Sequence, residues 1–360
     1  VTEEPQERPI GLFDMDGTLF DYEGQMRADL SRLLAAGENE SENLHQEDRP
    51  SYQQQRPRRR DGRRPRPRGV EVPSDSADRG RLDRSGLVCG SSQIDPLGPK
   101  GRLRMTTPRK GASKRADIPA DVLAKLNGGE LESATLAEGL AIDFAALLAA
   151  TVPDVPADAV RLVREAATQG VTRRMELVGG LLLAHLGVDG VARVATHSSD
   201  TARGWACYLI GLAPKLKLKD RLALIRPLAD DPHFGVREWA WLPMRSHIAA
   251  NVGHAIKALT PWVADTSPNV RRFAVEVTRP RGVWTNHIAQ LKQNPALGLP
   301  LLEPLKADLE AYVQTSVANW LNDAAKSEPE WVTALCKRWR DEKNHPATER
   351  ICRRALRSVK

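Results

Sequence analysis

"DDPHFGVREWAWLP", residues 230–243, decides how this chain is read, because three other stretches align with it. They are "SSDTARGWACYL" (198–209), "DTSPNVRRFAVEV" (265–277) and "DLEAYVQTSVANWL" (308–321). The shared pattern is a loop acid, a turn, and a helix that opens near an aliphatic–Arg pair. The matched positions Ala202, Val236, Val270 and Val313 are separated by 34, 34 and 43 residues, and a further unit is read at "HPATERICRRALRSV" (345–359). Units of that length built from paired helices bury their apolar faces only by stacking on their neighbours, so the spacing predicts a helical solenoid. Upstream, "LAEGLAIDFAALLAATV" and "ADAVRLVREAAT" carry Leu, Ala and Val at helical period, with Pro153, Gly170 and Pro214 as breakers and no strand pattern between them.

The chain has 360 residues, 41% of them hydrophobic, and 53 Lys and Arg against 46 Asp and Glu give a formal charge of +7. That balance favours a polyanionic partner such as nucleic acid. Much of the excess lies in residues 53–115, rich in Arg, Pro, Gly and Ser, which bury too little apolar surface to offset chain entropy and are expected to form a disordered linker. Residues 116–360 form the all-α domain. The cysteines Cys89, Cys207, Cys336 and Cys352 show no paired or zinc-ligand spacing, so free thiols and no structural zinc are expected. Neither a membrane-spanning apolar run nor a signal peptide is present in the sequence, and a cytoplasmic monomer with no membrane partner is expected.

Residues 1–52 read differently. "PIGLFDMDGTLF" is a short apolar strand that ends in Asp14-Met15-Asp16-Gly17-Thr18. It resembles the first motif of the haloacid-dehalogenase phosphatases, most closely their 5'-deoxyribonucleotidase-like members. The resemblance implies a nucleophilic role for Asp14 and an acid/base role for Asp16, both beside Mg²⁺. The further phosphate-binding and metal-binding motifs are not found after Tyr52, so a truncated fragment without phosphatase activity is expected.

In the solenoid, residues just after the matched positions recur on one helix of each unit. They are Arg203 and Trp205; Arg237, Glu238 and Trp239; Arg271, Arg272 and Glu276; Asn319, Trp320 and Asp323. In "SVANWLND", Ser316, Asn319, Trp320 and Asp323 share one stripe and Val317, Leu321 and Ala324 another, so the polar stripe is expected to face a groove. Guanidinium groups fork onto phosphate oxygens and indoles stack on bases. Together with Arg279, Arg281, Arg338, Arg353, Arg354 and Arg357, these side chains point to a phosphate backbone. Taken singly, each Arg is equally well explained as a helix-surface ion pair.

The repeat pattern resembles HEAT repeats, in a right-handed α-solenoid. The linked blocks "RRFAVEVTRPRGVW" and "SVANWLND" resemble those of the HEAT-like alkylpurine DNA glycosylases, the AlkC/AlkD superfamily, over about residues 108–360 and closer to the AlkC-like branch. The resemblance implies that Glu276, Trp284 and Asp323, with Glu238 one repeat earlier, line a lesion site. From the recurring polar face, DNA contacts are expected at Arg203, Arg237, Arg245, Arg271, Arg272, Arg279, Arg281, Asn319, Trp239 and Trp320. The implied activity is monofunctional release of cationic N3- or N7-alkylated purines from double-stranded DNA, with no metal or organic cofactor. An N-alkylated purine is already a good leaving group, so a carboxylate that stabilises positive charge on the deoxyribose is the main chemical requirement. The competing readings are a catalytically silent HEAT-repeat module that binds nucleic acid or protein and, from the N-terminal motif, a nucleotide phosphatase.

Overall fold

A computed structural model of the chain describes residues 109–282, 285–342 and 344–359. The motif with Asp14 and Asp16, most of the 53–115 segment, and Trp284 lie outside the described residues. Among the described residues there are helices and no strands. The first helices are α1 (Ala120–Asn127), α2 (Leu136–Ala141), α3 (Phe144–Thr151), α4 (Ala157–Glu165), α5 (Val171–Leu186) and α6 (Gly190–Val194). Next come α7 (Asp200–Leu212), α8 (Leu218–Ala229), α9 (Phe234–Trp241), α10 (Arg245–Ala250), α11 (Val252–Leu259) and α12 (Pro268–Glu276). The array ends with α13 (Ala289–Gln293), α14 (Leu299–Leu302), α15 (Ala311–Ala325), α16 (Pro329–Glu342) and α17 (Pro346–Ala355). None of these helices is long and apolar enough to cross a membrane.

Helices α5, α7, α9, α12, α15 and α17 pack each on the next in one continuous row, with α8 set against α7 and α9, and α16 against α15 and α17. This is the expected solenoid of HEAT-like helical repeats. Ala202, Val236, Val270 and Val313 each occupy the third position of their row helix and are fully buried. Thr348 takes the same place in α17, so the terminal stretch is a fifth copy. The breakers fall where helices stop: Pro153 follows α3, Gly170 is the N-cap of α5, and Pro214 follows α7. The row helices also approach closely. A Cβ added at Gly179 of α5 would lie 2.5 Å from the Cβ of Tyr208 on α7, so that crossing requires glycine.

The repeated polar residues have a local explanation in helix termini, whose first N–H groups need acceptors. Ser199, His233, Ser267 and His345 cap α7, α9, α12 and α17, the two histidines through Nδ1. Two residues before a cap position, Asp231, Asp265 and Asp308 accept the N–H of His233, Ser267 and Glu310 at 2.8, 2.9 and 2.9 Å. The arginine after each matched position turns back over this loop. Nη1 of Arg203 donates to the carbonyls of His197 and Ser198, that of Arg237 to Asp231 and Pro232, and that of Arg271 to Asp265 and Thr266. In the fourth unit Gln314 does the same work, donating to the Asp308 carbonyl at 2.8 Å. Arg203 and Arg271 then reach forward in a fork to the acid of the following unit, Asp231 and Asp308. Arg226 takes that place at Asp265.

The start of the domain differs from the sequence expectation. Residues 109–115, assigned to the linker, belong with the solenoid because Arg109 forks onto the buried carboxylate of Glu138 at 2.7 and 2.6 Å. The N–H groups of Ala112 and Ala134 donate to the same carboxylate. Behind it, Ser133 donates through N and Oγ to Asp200, and His233 Nε2 donates to the Ser133 carbonyl at 2.6 Å. This latch ties the loop before α2 to α7 and α9.

Candidate active site

Between α2 and α3 on one side and the row helices on the other lies a cleft of about 370 Å³. The α2–α3 wall is apolar, with Leu136, Leu140 and Phe144, and Met175 of α5 and Phe234 of α9 extend it; the remainder of the row side carries Glu238, Arg272, Glu276, Arg279 and Asn319. Glu276, the last residue of α12, is 3% exposed. It accepts a hydrogen bond from Ser316 Oγ at 2.6 Å and from Arg279 Nη1 at 3.3 Å, with Arg272 Nη2 3.7 Å away. Burial alone would raise its pKa, but the two guanidinium groups and the hydroxyl outweigh burial and hold the carboxyl below its ordinary range. It is a buried anion.

Asp323, on α15, is 4% exposed; Arg279 donates to its Oδ2 at 2.8 Å and Lys326 Nζ lies 3.6 Å from its Oδ1. Glu238 is the accessible member, its side chain 40% exposed. It accepts from Arg272 Nη2 at 2.6 Å and from Trp241 Nε1 at 3.0 Å. The five groups Glu238, Arg272, Glu276, Arg279 and Asp323 therefore form one alternating chain of charge across α9, α12 and α15. Burial would lower the pKa of both arginines, and the neighbouring carboxylates reverse that. Arg272 also lies over the Tyr312 ring, 4.3 Å from its centroid.

The structure thus brings Glu238 and Glu276 to one cleft and joins Asp323 to them through Arg279, one layer behind the cleft wall. Trp239 lines the cleft, half-buried, at 6.2 Å from the Tyr208 ring and against Gly204. Asn319 is also at the wall and accepts a hydrogen bond from Arg357 at 3.1 Å. Other expected DNA contacts are corrected. Trp320 is fully buried, its Nε1 donating to the Thr278 carbonyl at 2.9 Å and its ring against Gly298, so it cannot stack on a base. The stripe containing Ser316, Trp320 and Asp323 is an interior polar seam and not an open groove face, because α12 and its following loop cover it.

Arg203 and Arg245 are likewise interior. Arg203 is saturated by Asp231, Glu132 and two carbonyls. Arg245 is 2% exposed and donates to the carbonyls of Val277, Arg279 and Asn286 at 3.3, 2.9 and 3.0 Å. Burial, reinforced by Arg279, brings its pKa down to about 10. It holds the loop after α12 that carries Arg279. Arg281 completes that loop by donating to the Asp323 carbonyl and to Ser327 Oγ at 3.2 and 2.7 Å. Arg237 and Arg271 are engaged by loop carbonyls as described. The apolar wall was missed from sequence; the adjacent signal was a pair of leucines, Leu136 and Leu140, one turn apart and 44% and 39% exposed.

No family model matches the sequence. The chain is 33% identical over 135 residues to the uncharacterized protein YhaZ of Bacillus subtilis (strain 168), a match covering 38% of this chain and 36% of that protein. Among solved structures it is similar to the Pseudomonas fluorescens alkylpurine DNA glycosylase AlkC bound to DNA containing an abasic site analog. That likeness has 27% identity and a TM-score of 0.50, and covers 60% of each chain. The chain shares the AlkC fold. It thus spans about three fifths of AlkC and about a third of the curated relative. AlkD2 from Streptococcus mutans is also similar, at 21% identity and a TM-score of 0.45, covering 56% of this chain and 97% of that one.

Proposed function

We propose that this chain is a DNA glycosylase of the AlkC kind, which binds duplex DNA across the cleft and hydrolyses the N-glycosidic bond of cationic N3- or N7-alkylated purines. The observation that carries the reading is the alternating charge chain, which holds Glu276 as a buried anion and pairs the interior Asp323 with Arg279, behind an accessible Glu238. Likeness to a glycosylase at 27% identity gives the chemistry a precedent.

The alkylated base leaves as a neutral purine, so the enzyme has no need to protonate it. Positive charge grows on the sugar as the bond stretches, and water must reach the anomeric carbon. Counting Lys326 beside Asp323, the three carboxylates are balanced by three cations, so it is the local field of carboxylates fixed at the wall, not a net charge, that stabilises an oxocarbenium-like sugar. Glu238 and Glu276, on the wall, supply that field, and Asp323 sets it through Arg279. On this reading Glu238, the accessible carboxylate, orients the water, and Trp284, by the AlkC resemblance, supplies an aromatic face to the cationic base.

The test is release of N3-methyladenine and N7-methylguanine from alkylated duplex DNA by wild type, Asp323→Asn and Glu276→Gln. Both replacements keep an acceptor for Arg279. Each is expected to lose about 10²–10³-fold in release rate while affinity for undamaged duplex is unchanged. Wild-type release by Asp323→Asn overturns the assignment. Duplex binding without release by the wild type favours a silent HEAT-repeat module.

A further inference from the structure

The buried roles of Arg203 and Arg245 leave open which cations meet a polyanion. Helix α17 offers a different set. Its Arg350, Arg353 and Arg354 stand at i, i+3 and i+4 on one exposed face, and Arg357 follows in the 3-10 turn that extends the helix. The opposite face, with Ala347, Ile351, Cys352 and Ala355, is buried against α15 and α16. Among the described residues none of these four arginines has a carboxylate within ion-pair distance, whereas Arg340 on α16 takes the nearby Glu349 at 2.8 Å.

Cations at a helix C-terminus favour its dipole, and that accounts for Arg353 and Arg354. It does not account for Arg350, a turn earlier, or for the direction of Arg357. The Arg357 guanidinium donates to the Arg354 carbonyl at 2.7 Å and to Asn319 Oδ1 at 3.1 Å, which sets it beside Asn319, a residue of the cleft wall. Partial burial of the head group and the adjacent Arg354 depress its pKa, while Asp323 acts in the opposite sense. A cluster of like charges with no carboxylate beside it among the described residues is relieved by an anion.

We infer that Arg350, Arg353, Arg354 and Arg357 form a phosphodiester-binding strip along α17, which leads one DNA strand to the cleft at Asn319. The inference rests on the proposed reading of the cleft as a DNA site. Arg357 is the end of the strip nearest the charge chain and grips the phosphate beside the lesion; Arg350 lies furthest out and contributes only to general affinity. Phosphate neutralisation by such a strip releases counterions, so its signature is the salt dependence of binding.

The experiment titrates undamaged duplex DNA with the full chain over a salt series by fluorescence anisotropy, using wild type, Arg350→Gln, Arg357→Gln, Arg357→Lys and, as a control, Arg161→Gln from the ion-paired face of α4. Each glutamine in the strip is expected to lower affinity several-fold at low salt and to reduce the slope of log K on log salt by about one. Arg357→Lys is expected to keep the slope, and Arg161→Gln to match wild type. Wild-type slopes in both Arg350→Gln and Arg357→Gln overturn the inference. Arg350 faces solvent and holds no cap, so its result stands apart from any effect on folding. An arginine-dependent slope in a chain that releases no alkylpurine keeps the strip and removes the glycosylase reading; release without that dependence does the reverse.

Discussion

Arg279 lies between two interior carboxylates, at 3.3 Å from Glu276 and 2.8 Å from Asp323. Removing either acid leaves it under-compensated, and this is why isosteric amides rather than alanine are the informative replacements at those positions. Trp320 shows how a residue chosen for its chemistry can have another role. Its indole N–H satisfies the buried Thr278 carbonyl. Trp320→Phe keeps most of the volume and orphans that carbonyl, so a stability loss of about 1–2 kcal/mol is expected, read by urea denaturation, with affinity for undamaged DNA unchanged. A loss of DNA affinity at wild-type stability would restore it to the binding surface. The sequence pattern placed Ser316, Trp320 and Asp323 correctly on one stripe, because helical period alone fixes that. It could not show that α12 lies over the stripe, because coverage is decided by residues 40 or more positions away, as in the Ser316–Glu276 bond.

At the scale of the repeat, one position serves one need in four units. The arginines Arg203, Arg237 and Arg271 close the loop carbonyls at the head of their helices, and glutamine at 314 can stand in for them. This substitution within the chain supplies a test. Arg271→Ala is expected to cost about 2–3 kcal/mol, since it strips two carbonyls and leaves Asp308 without its fork. Arg271→Gln is expected to recover part of that in the same thermal unfolding experiment; equal losses would show that the carbonyl bonds contribute little. The 34-residue spacing was legible because Val236 and Val270 each follow a loop Asp, Asp231 and Asp265, at the same distance and precede an Arg. The longer step to Val313 reflects the broken helical passage through α13 and α14, including Pro295, Pro300 and Pro304. Arginine's two uses, phosphate fork and loop closure, share one residue type, so sequence alone could not separate them.

For the molecule as a whole, the first repeat is fastened by charge. Glu138 is fully buried, and the Arg109 fork, with two backbone N–H groups, outweighs burial to bring its pKa from an ordinary 4.5 down to about 2. A depressed folded-state value means stabilisation that is complete above the unfolded pKa and is lost as pH falls toward the folded one. The advantage of wild type over Glu138→Gln is therefore expected to be about 2–3 kcal/mol near neutrality and to vanish between about pH 4.5 and pH 2. Denaturant titrations at several pH values check this, and a constant difference across that range would refute it. A chain beginning at residue 116 lacks Arg109 and is expected to behave like that variant. Most cross-helix polar bonds in the array reach one repeat along the chain, but those of Ser133 reach 67 residues to Asp200 and 100 to His233. Loop closure over such distances is slow compared with pairing neighbours. The row can therefore assemble before its first wall shuts, and hydrogen exchange in the 130–140 segment should report a late-closing, early-opening flap over the apolar side of the cleft.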